Sequence, residues 1–287
     1  MADKTVIIAV VNKAYVEGKV LAPNMLDLFL EGFWEGEGTR ELLNHLVLVA
    51  VDQTAYERCL FRGLHCYKLE TDGVNFMGEE VYMSSDFVKM MWRRTLFLTE
   101  VLERGYNFIF TDTDVIWLRN PFPVLTTITN KTQGFDIQLS VDYYNGNPSS
   151  IRNPINTGFY FVKSNTKTVS LFNKWYGLKD NSGGAKEQDV LQNLTTHGVL
   201  QEMGLKPRFL DTKYFSGFCQ GSSDIQSVIT VHANCCRYIK AKVTDLSQLL
   251  RDWGTFKVAP ANETSSFRWS PHVECYNSWN ATYGNNP

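Results

Sequence analysis

The residues best suited to chemistry are two carboxylates, Asp112 and Asp114, which follow the apolar run Tyr106–Phe110 almost without a break. In extended backbone alternate side chains point the same way, so Asp-x-Asp would aim both carboxylates at one target. Two anionic oxygens on one face suit a hard divalent cation that also grips a diphosphate. A strand that delivers them at its carboxyl end would put them where open α/β sheets bind ligands. The plainer alternative is a turn in which one aspartate caps the next element and the other is solvated.

A strand followed by Asp-x-Asp also opens the site of aspartyl-phosphate phosphatases, where the first aspartate is the nucleophile. Those enzymes carry the motif on their first strand, with Thr or Val two positions beyond it. Here several elements precede the motif and Ile116 stands in that place, which argues against the phosphatase reading.

The elements that must position the carboxylates alternate. Thr5–Val11 and Leu46–Val51 are short β-branched runs of the kind buried on both faces, and Cys66–Leu69 reads as a third strand. Between them Pro23–Glu35 and Gln53–Phe61 have helical spacing. A long helix from about Val81 to Arg104 carries a stripe through Phe87, Met91, Thr95, Leu98 and Leu102, and Gly105 ends it. This order predicts an α/β fold with a largely parallel sheet covered on both faces. In the second half Ile137–Val141, Ile155–Val162 and Val228–Val231 read as strands. Thr168–Gly177, Lys186–His197 and Asp245–Trp253 read as helices, the last with Thr244 as N-cap. The tail from Ala259 shows no periodicity. With no linker and no repeat, residues 1–287 are expected to form one domain.

Composition excludes more than it identifies. The chain has 287 residues, 44% hydrophobic and 20% charged, and a formal charge of -2, so no net basic bias points to nucleic acid. No apolar run approaches the length of a membrane span. The start, MADKTVIIAVV, is too short and too poor in basic residues for a signal peptide. A secretory route would therefore need a targeting or anchoring segment outside these residues. Two features favour that route: six cysteines without zinc-site spacing, and sequons at Asn130, Asn193, Asn262 and Asn280. Cys59 and Cys66 are expected to pair. Cys235 and Cys236, as neighbours, would each pair outward, to Cys219 and Cys275 in an order left open.

The segment KMMWRRTLFLTEVLERGYNFIFTDTDVIWLRNPF (89–122), followed in order by NTGFYFVKS (156–164), EQDVLQ (187–192) and VHANCCR (231–237), resembles the plant nucleotide-diphospho-sugar transferase domain of glycosyltransferase family 77. That family includes cell-wall xylosyl- and arabinosyltransferases. The resemblance runs from Thr5 to about Trp253. It implies a GT-A fold, Rossmann-like, with a mixed and mostly parallel sheet. About 1–115 would be the nucleotide-sugar-binding half, and about 116–287 the acceptor-binding half and tail. It further implies a UDP-sugar donor, Mn2+ or Mg2+, retention of anomeric configuration, a polysaccharide or glycoprotein acceptor, and a place in the Golgi lumen as part of a type II membrane protein.

Carried over, Asp112, Asp114 and His232 would hold the metal. By itself His232 is an ordinary strand-end histidine. Lys242, or its neighbour Lys240, would meet the diphosphate as a point charge. Lys89 and Arg93 share a helix face, so one of them would reach the donor, while Arg94 would turn to solvent or to a structural ion pair. Gln188 and Asp189 are candidates for the face beneath the anomeric carbon, as nucleophile or stabiliser. Asp189 also suits a plain helix N-terminus. Asp142 and Asn156-Thr157-Gly158 would line the sugar pocket, or simply make turns. Asn12 and Asp52, at strand ends, are the expected contacts for base and ribose, with Tyr15 and Tyr56 as stacking partners. Tyr143, Tyr144 and Phe159 are the side chains that would close a pentose pocket against a hydroxymethyl group. The competing reading is a sugar-nucleotide-binding module without turnover. Such a module would be expected to lack one of these carboxylates or the histidine.

Overall fold

In the computed structural model, residues 4–18, 22–71, 73–74, 76–79, 84–126, 134–260, 262–264 and 266–283 are described. The chain runs β1 (Thr5–Val11), α1 (Lys13–Val16), α2 (Met25–Glu35), β2 (Leu46–Ala50), α3 (Gln53–Phe61), β3 (His65–Lys68), α4 (Ser85–Glu103) and β4 (Asn107–Thr111). It continues with β5 (Val115–Trp117), α5 (Phe122–Thr126), β6 (Ile137–Val141), β7 (Ile155–Val162), α6 (Thr166–Gly177), α7 (Glu187–Thr196) and α8 (Val199–Glu202). Then follow β8 (Pro207–Phe209), β9 (Phe215–Gly217), β10 (Thr230–His232), α9 (Ile239–Val258) and α10 (Val273–Tyr283).

Seven strands form the main sheet in the order β3-β2-β1-β4-β7-β6-β8. All are parallel except β7, which runs against both β4 and β6. The chain leaves β1 toward β2 and β3, then returns to β4 on β1's other side. The point between β1 and β4 is therefore a topological switch, where the carboxyl ends of the strands open a crevice. Ile8 packs into one apolar layer and Ile7, Ala9 and Val11 into the other, so β1 is buried on both faces. On α4, Trp92, Leu98 and Leu102 are buried against the sheet. Ser84 caps this helix by accepting from the Phe87 N–H at 3.1 Å, and Gly105, with φ +79°, ends it.

A second sheet of three short strands, β5-β10-β9, stands beside the first. Trp117 of β5 joins the two. Its ring stacks on Phe33 at 4.7 Å, meets Phe159 edge-on at 5.6 Å, and donates from Nε1 to the Thr111 hydroxyl at 3.2 Å. The turn between β4 and β5, which carries both aspartates, is thereby clamped at each end.

Two expectations for the last third are corrected. The helix expected at Asp245–Trp253 begins six residues earlier, at Ile239, so Thr244 is internal and its hydroxyl donates back to the Lys240 carbonyl at 3.0 Å. The tail is not wholly irregular, for it holds α10. Asp245 accepts from the Cys275 N–H at 2.8 Å and so caps this second helix rather than its own. Among the described residues the buried apolar side chains around α10 are few: Cys275, Cys236 and Ala241, with Phe218 against them. A helix with so little apolar face gives no periodic signal. The disulfides are Cys59–Cys66, Cys219–Cys235 and Cys236–Cys275, which settles the order left open, and no cysteine is free. Asn193 and Asn262 are exposed, and Asn130 lies outside the described residues. Among the described residues no helix is long and apolar enough to cross a membrane.

The Cys236–Cys275 bridge closes a loop with a sequence separation of 39 residues. Removing it with Cys236→Ser and Cys275→Ser should cost up to about 4 kcal/mol by loop-closure entropy. Limited proteolysis should cut the segment around α10 well before the rest of the chain unfolds, and thermal melts read the stability change.

Candidate active site

Strand β4 ends at Thr111, opposite Phe159 of β7, and the Asp112 N–H donates to the Gly158 carbonyl at 2.7 Å. There the backbone turns, with Val115 N–H donating back to the Asp112 carbonyl at 3.2 Å. Asp112 and Asp114 thus reach a common target by a turn rather than by strand alternation. The Asp114 carbonyl accepts from the Ala233 N–H at 3.0 Å, which ties the turn to β10. His232 arrives on that strand opposite Val115.

One ligand atom each of Asp112, Asp114 and His232 lie within 4.8 Å of one another. Asp114 is nearly fully buried and is gripped from both sides. Its Oδ1 lies 3.2 Å from His232 Nε2, and its Oδ2 lies 2.6 Å from Lys242 Nζ. Burial works against its ionisation, but Lys242 and His232 outweigh that and hold the carboxyl well below the usual range. Burial likewise opposes the charge on Lys242, yet the Asp114 carboxylate raises its pKa. Two hard carboxylates and an imidazole are a donor set that fits Mn2+ or Mg2+. Gly158 makes the approach possible. A Cβ there would fall 2.3 Å from His232 Cε1 and 2.9 Å from an Asp112 carboxylate oxygen, so a larger residue would displace two of the three groups.

Behind the acidic turn lies a buried ion pair. Arg94 of α4, 4% exposed, meets Glu187 Oε1 of α7, 1% exposed, at 2.5 Å, and its other terminal nitrogen meets Asp112 Oδ1 at 3.0 Å. The guanidinium also lies 4.4 Å from the Phe110 ring. The Thr157 hydroxyl donates to Glu187 Oε1 at 2.9 Å. Gln188 turns its Oε1 to the Thr157 N–H at 3.0 Å, and its amide nitrogen makes no hydrogen bond among the described residues. Asn156 and Asn234 both donate to Asp142 Oδ1, at 2.7 and 2.8 Å, leaving Oδ2 without a protein partner among the described residues. Burial pushes the Tyr15 hydroxyl up to about 12.

Asp112, Asp114, His232, Lys242, Asp142, Asn156, Thr157, Gly158, Gln188, Asn12 and Tyr15 line one cleft. Within it the Asn12 amide nitrogen is committed to the Phe76 and Gly78 carbonyls, both at 2.8 Å. Other expected residues stand elsewhere. Asp52 caps α3 and accepts from the Lys13 and Ala55 N–H groups, which occupies both oxygens. Lys89 pairs with Asp86 at the surface, and Arg93 donates to the Glu70 carbonyl. On α4 it is the face of Phe87, Met90, Met91 and Arg94 that lines the cleft, and Arg94 is in a structural ion pair, one of the two places expected of it, while neither Lys89 nor Arg93 lines the cleft. Asp189 is half exposed, 3.9 Å from Lys186 Nζ, and does not line the cleft as Glu187 and Gln188 do. Phe159 is buried in the aromatic layer with Trp117 and Phe215, because alternation along β7 sends it opposite to Gly158. Tyr143, Tyr144 and Tyr56 do not line the cleft either. Residues that sequence reading passed over are Glu187, Asn234, Glu79 and Trp279, all cleft-lining. Glu187 was within reach as the first residue of the Glu-Gln-Asp run; Trp279 had no motif around it.

A parallel sheet that opens at β1/β4, one reversed strand beside it, and an acidic turn facing the crevice constitute the GT-A architecture. The profile of the nucleotide-diphospho-sugar transferases matches residues 41–246, and the chain belongs to that family. An uncharacterised Arabidopsis thaliana protein is 55% identical over 98% of this chain and 82% of its own length. The β-arabinofuranosyltransferase RAY1 of Arabidopsis thaliana is 24% identical over 67% of this chain and 37% of its own length. Among solved structures, the glycosyltransferase GlyE of Streptococcus pneumoniae superposes with a TM-score of 0.50 at 10% identity, covering 94% of this chain and 65% of that one. Family membership fixes the activity class as glycosyl transfer, with a nucleotide-sugar donor and a glycan acceptor.

Arg94→Leu should destabilise the fold by about 3–5 kcal/mol, because it strands Glu187 as a buried charge. Lys89→Ala, on the next face of the same helix, should cost less than about 1 kcal/mol. Chemical denaturation of the two variants checks the contrast.

Proposed function

We propose that the protein is a metal-dependent, retaining glycosyltransferase that moves a pentose from a UDP-sugar to a glycan or glycoprotein acceptor in the Golgi lumen. The observation that carries this reading is the convergence of Asp112, Asp114 and His232 beyond the switch point of a nucleotide-binding sheet. The three would hold Mn2+ or Mg2+, whose contribution when bound is Lewis-acid neutralisation of the charge on a departing diphosphate. Lys242 adds a fixed cation for the same charge, held by Asp114 until donor arrives. In this reading about 1–115 form the donor half, with Asn12 and Tyr15 near the nucleoside, and about 116–287 form the acceptor half.

Gln188 is assigned the place beneath the anomeric carbon. The Thr157 N–H and hydroxyl hold its side-chain oxygen, Gln188 lines the cleft, and that oxygen, the negative end of the amide dipole, would stabilise positive charge there without forming a strong covalent bond. Asp189 is assigned a helix-terminal role. Asp142, held by two asparagines, is assigned to sugar hydroxyls. The pentose is supported by the named arabinofuranosyltransferase relative, and UDP-galactose is the second donor to try. Three disulfides and no free thiol support an oxidising lumen.

Incubated with UDP-sugars and Mn2+ but no acceptor, the protein should release UDP slowly, fastest with a pentose donor. Asp114→Asn and His232→Ala should each cut that release by roughly a hundredfold or more. With α-linked UDP-xylose and an acceptor, product NMR should show an α-xyloside. Undiminished release by both variants in excess EDTA, or a β-xyloside product, would overturn the assignment.

A further inference from the structure

The helix α10 is held where its own packing does not explain its presence. Among the described residues its buried face offers little apolar area, yet three attachments fix it: the Cys236–Cys275 bridge, the Asp245 carboxylate on the Cys275 N–H, and the Ser278 hydroxyl, which accepts from the Arg237 N–H at 3.1 Å. What these attachments bring to the cleft is Trp279. The indole is half-buried and lines the same cleft as Asp114 and His232, with the Arg237 guanidinium 4.0 Å from its ring centroid. Cys275 and Ser278 face inward, while Tyr276, three residues before Trp279 on the helix, is 69% exposed. Tyr238, which follows Arg237, is 50% exposed. Trp279 is thus a cleft-lining aromatic on a segment that lies beyond the family's matched residues, 41–246.

We propose that Trp279 is the platform on which the acceptor's sugar ring stacks. A pyranose or furanose presents one face of C–H bonds, and an indole offers a flat apolar surface of matching size with a polar edge. Arg237 stiffens the ring from one side and offers hydrogen-bond donors to hydroxyls at the sugar's edge. The donor's recognition elements, the β1 and β4 ends and the acidic turn, lie at the switch point of the main sheet. Trp279 comes instead from a separately stapled helix. Acceptor choice would thus reside in a part of the chain that can vary without disturbing the donor site.

This inference rests on the UDP-sugar reading, and the test separates the two. Saturation-transfer NMR would be recorded with methyl β-D-galactopyranoside, methyl β-D-xylopyranoside and methyl α-L-arabinofuranoside, each with UDP and diamagnetic Mg2+ present. At least one glycoside should show ring C–H signals with the unaltered protein. Trp279→Ala should weaken that signal about tenfold, and Trp279→Phe should retain most of it. The thermal shift produced by UDP and Mn2+ alone should stay unchanged in both variants. Loss of the UDP shift in Trp279→Ala would make the indole a nucleotide contact and overturn the proposal. An undiminished glycoside signal in that variant, or no signal from any of the three glycosides with the unaltered protein, would overturn it too. A UDP shift absent even from the unaltered protein would instead count against the donor reading.

Discussion

The site depends on one buried ion pair. Arg94 and Glu187 come from helices on different parts of the chain and meet with almost no access to water. Removing two charges from solvent is expensive, and the cost is met only when the pair is close and further bonded. Thr157 supplies one such bond to Glu187, and Asp112 supplies another to Arg94. The pair therefore fixes α4 against α7 and fixes both against the turn after β4. It also decides how much negative charge the cleft tolerates. Asp112 and Asp114 would repel each other if both were left unpartnered, but each has its own cation, Arg94 for one and Lys242 for the other.

This allotment separates structure from chemistry. Arg94 is spent on the protein side, locked between two carboxylates and an aromatic ring. Lys242 lines the cleft, 16% exposed, and among the described residues its ammonium bonds only to the Asp114 carboxylate, which also lines the cleft. In the proposed reaction an arriving diphosphate would compete for Lys242 and not for Arg94. Gly158 performs the complementary service by omission, since its missing side chain is the space that His232 and Asp112 share.

Much of this was legible in the sequence, for identifiable reasons. Long strands buried on both faces, such as β1 and β2, appear as unbroken β-branched runs, and α4 announces itself by a stripe over five turns. Strands β5, β8 and β9 have three residues each, too few for any period to show. The acidic motif and the histidine were visible because their types and neighbours are unusual. Which cation meets them was not. Adjacent helical residues point about 100° apart, and nothing local says whether Arg93 or Arg94 faces inward. The same geometry misdirects attention on α7, where Asp189 attracts notice by its charge while Glu187 and Gln188 hold the inward face. Trp279 was hidden because α10 is placed by a covalent bond and hydrogen bonds, which leave no hydrophobic pattern.

The adjacent cysteines carry a consequence for biosynthesis. Cys235, whose backbone is in the left-handed region at φ 53°, sends its bridge to Cys219, while Cys236 sends its own to Cys275. His232 lies only three residues upstream of this fork. Were the two partners exchanged, every thiol would still be oxidised and the mass would be identical. The backbone at the fork would nevertheless have to rearrange, because Cys235 now directs its sulfur to Cys219 and Cys236 directs its own to Cys275 of α10. Isomer purity, rather than complete oxidation, is thus the quantity that defines a competent preparation.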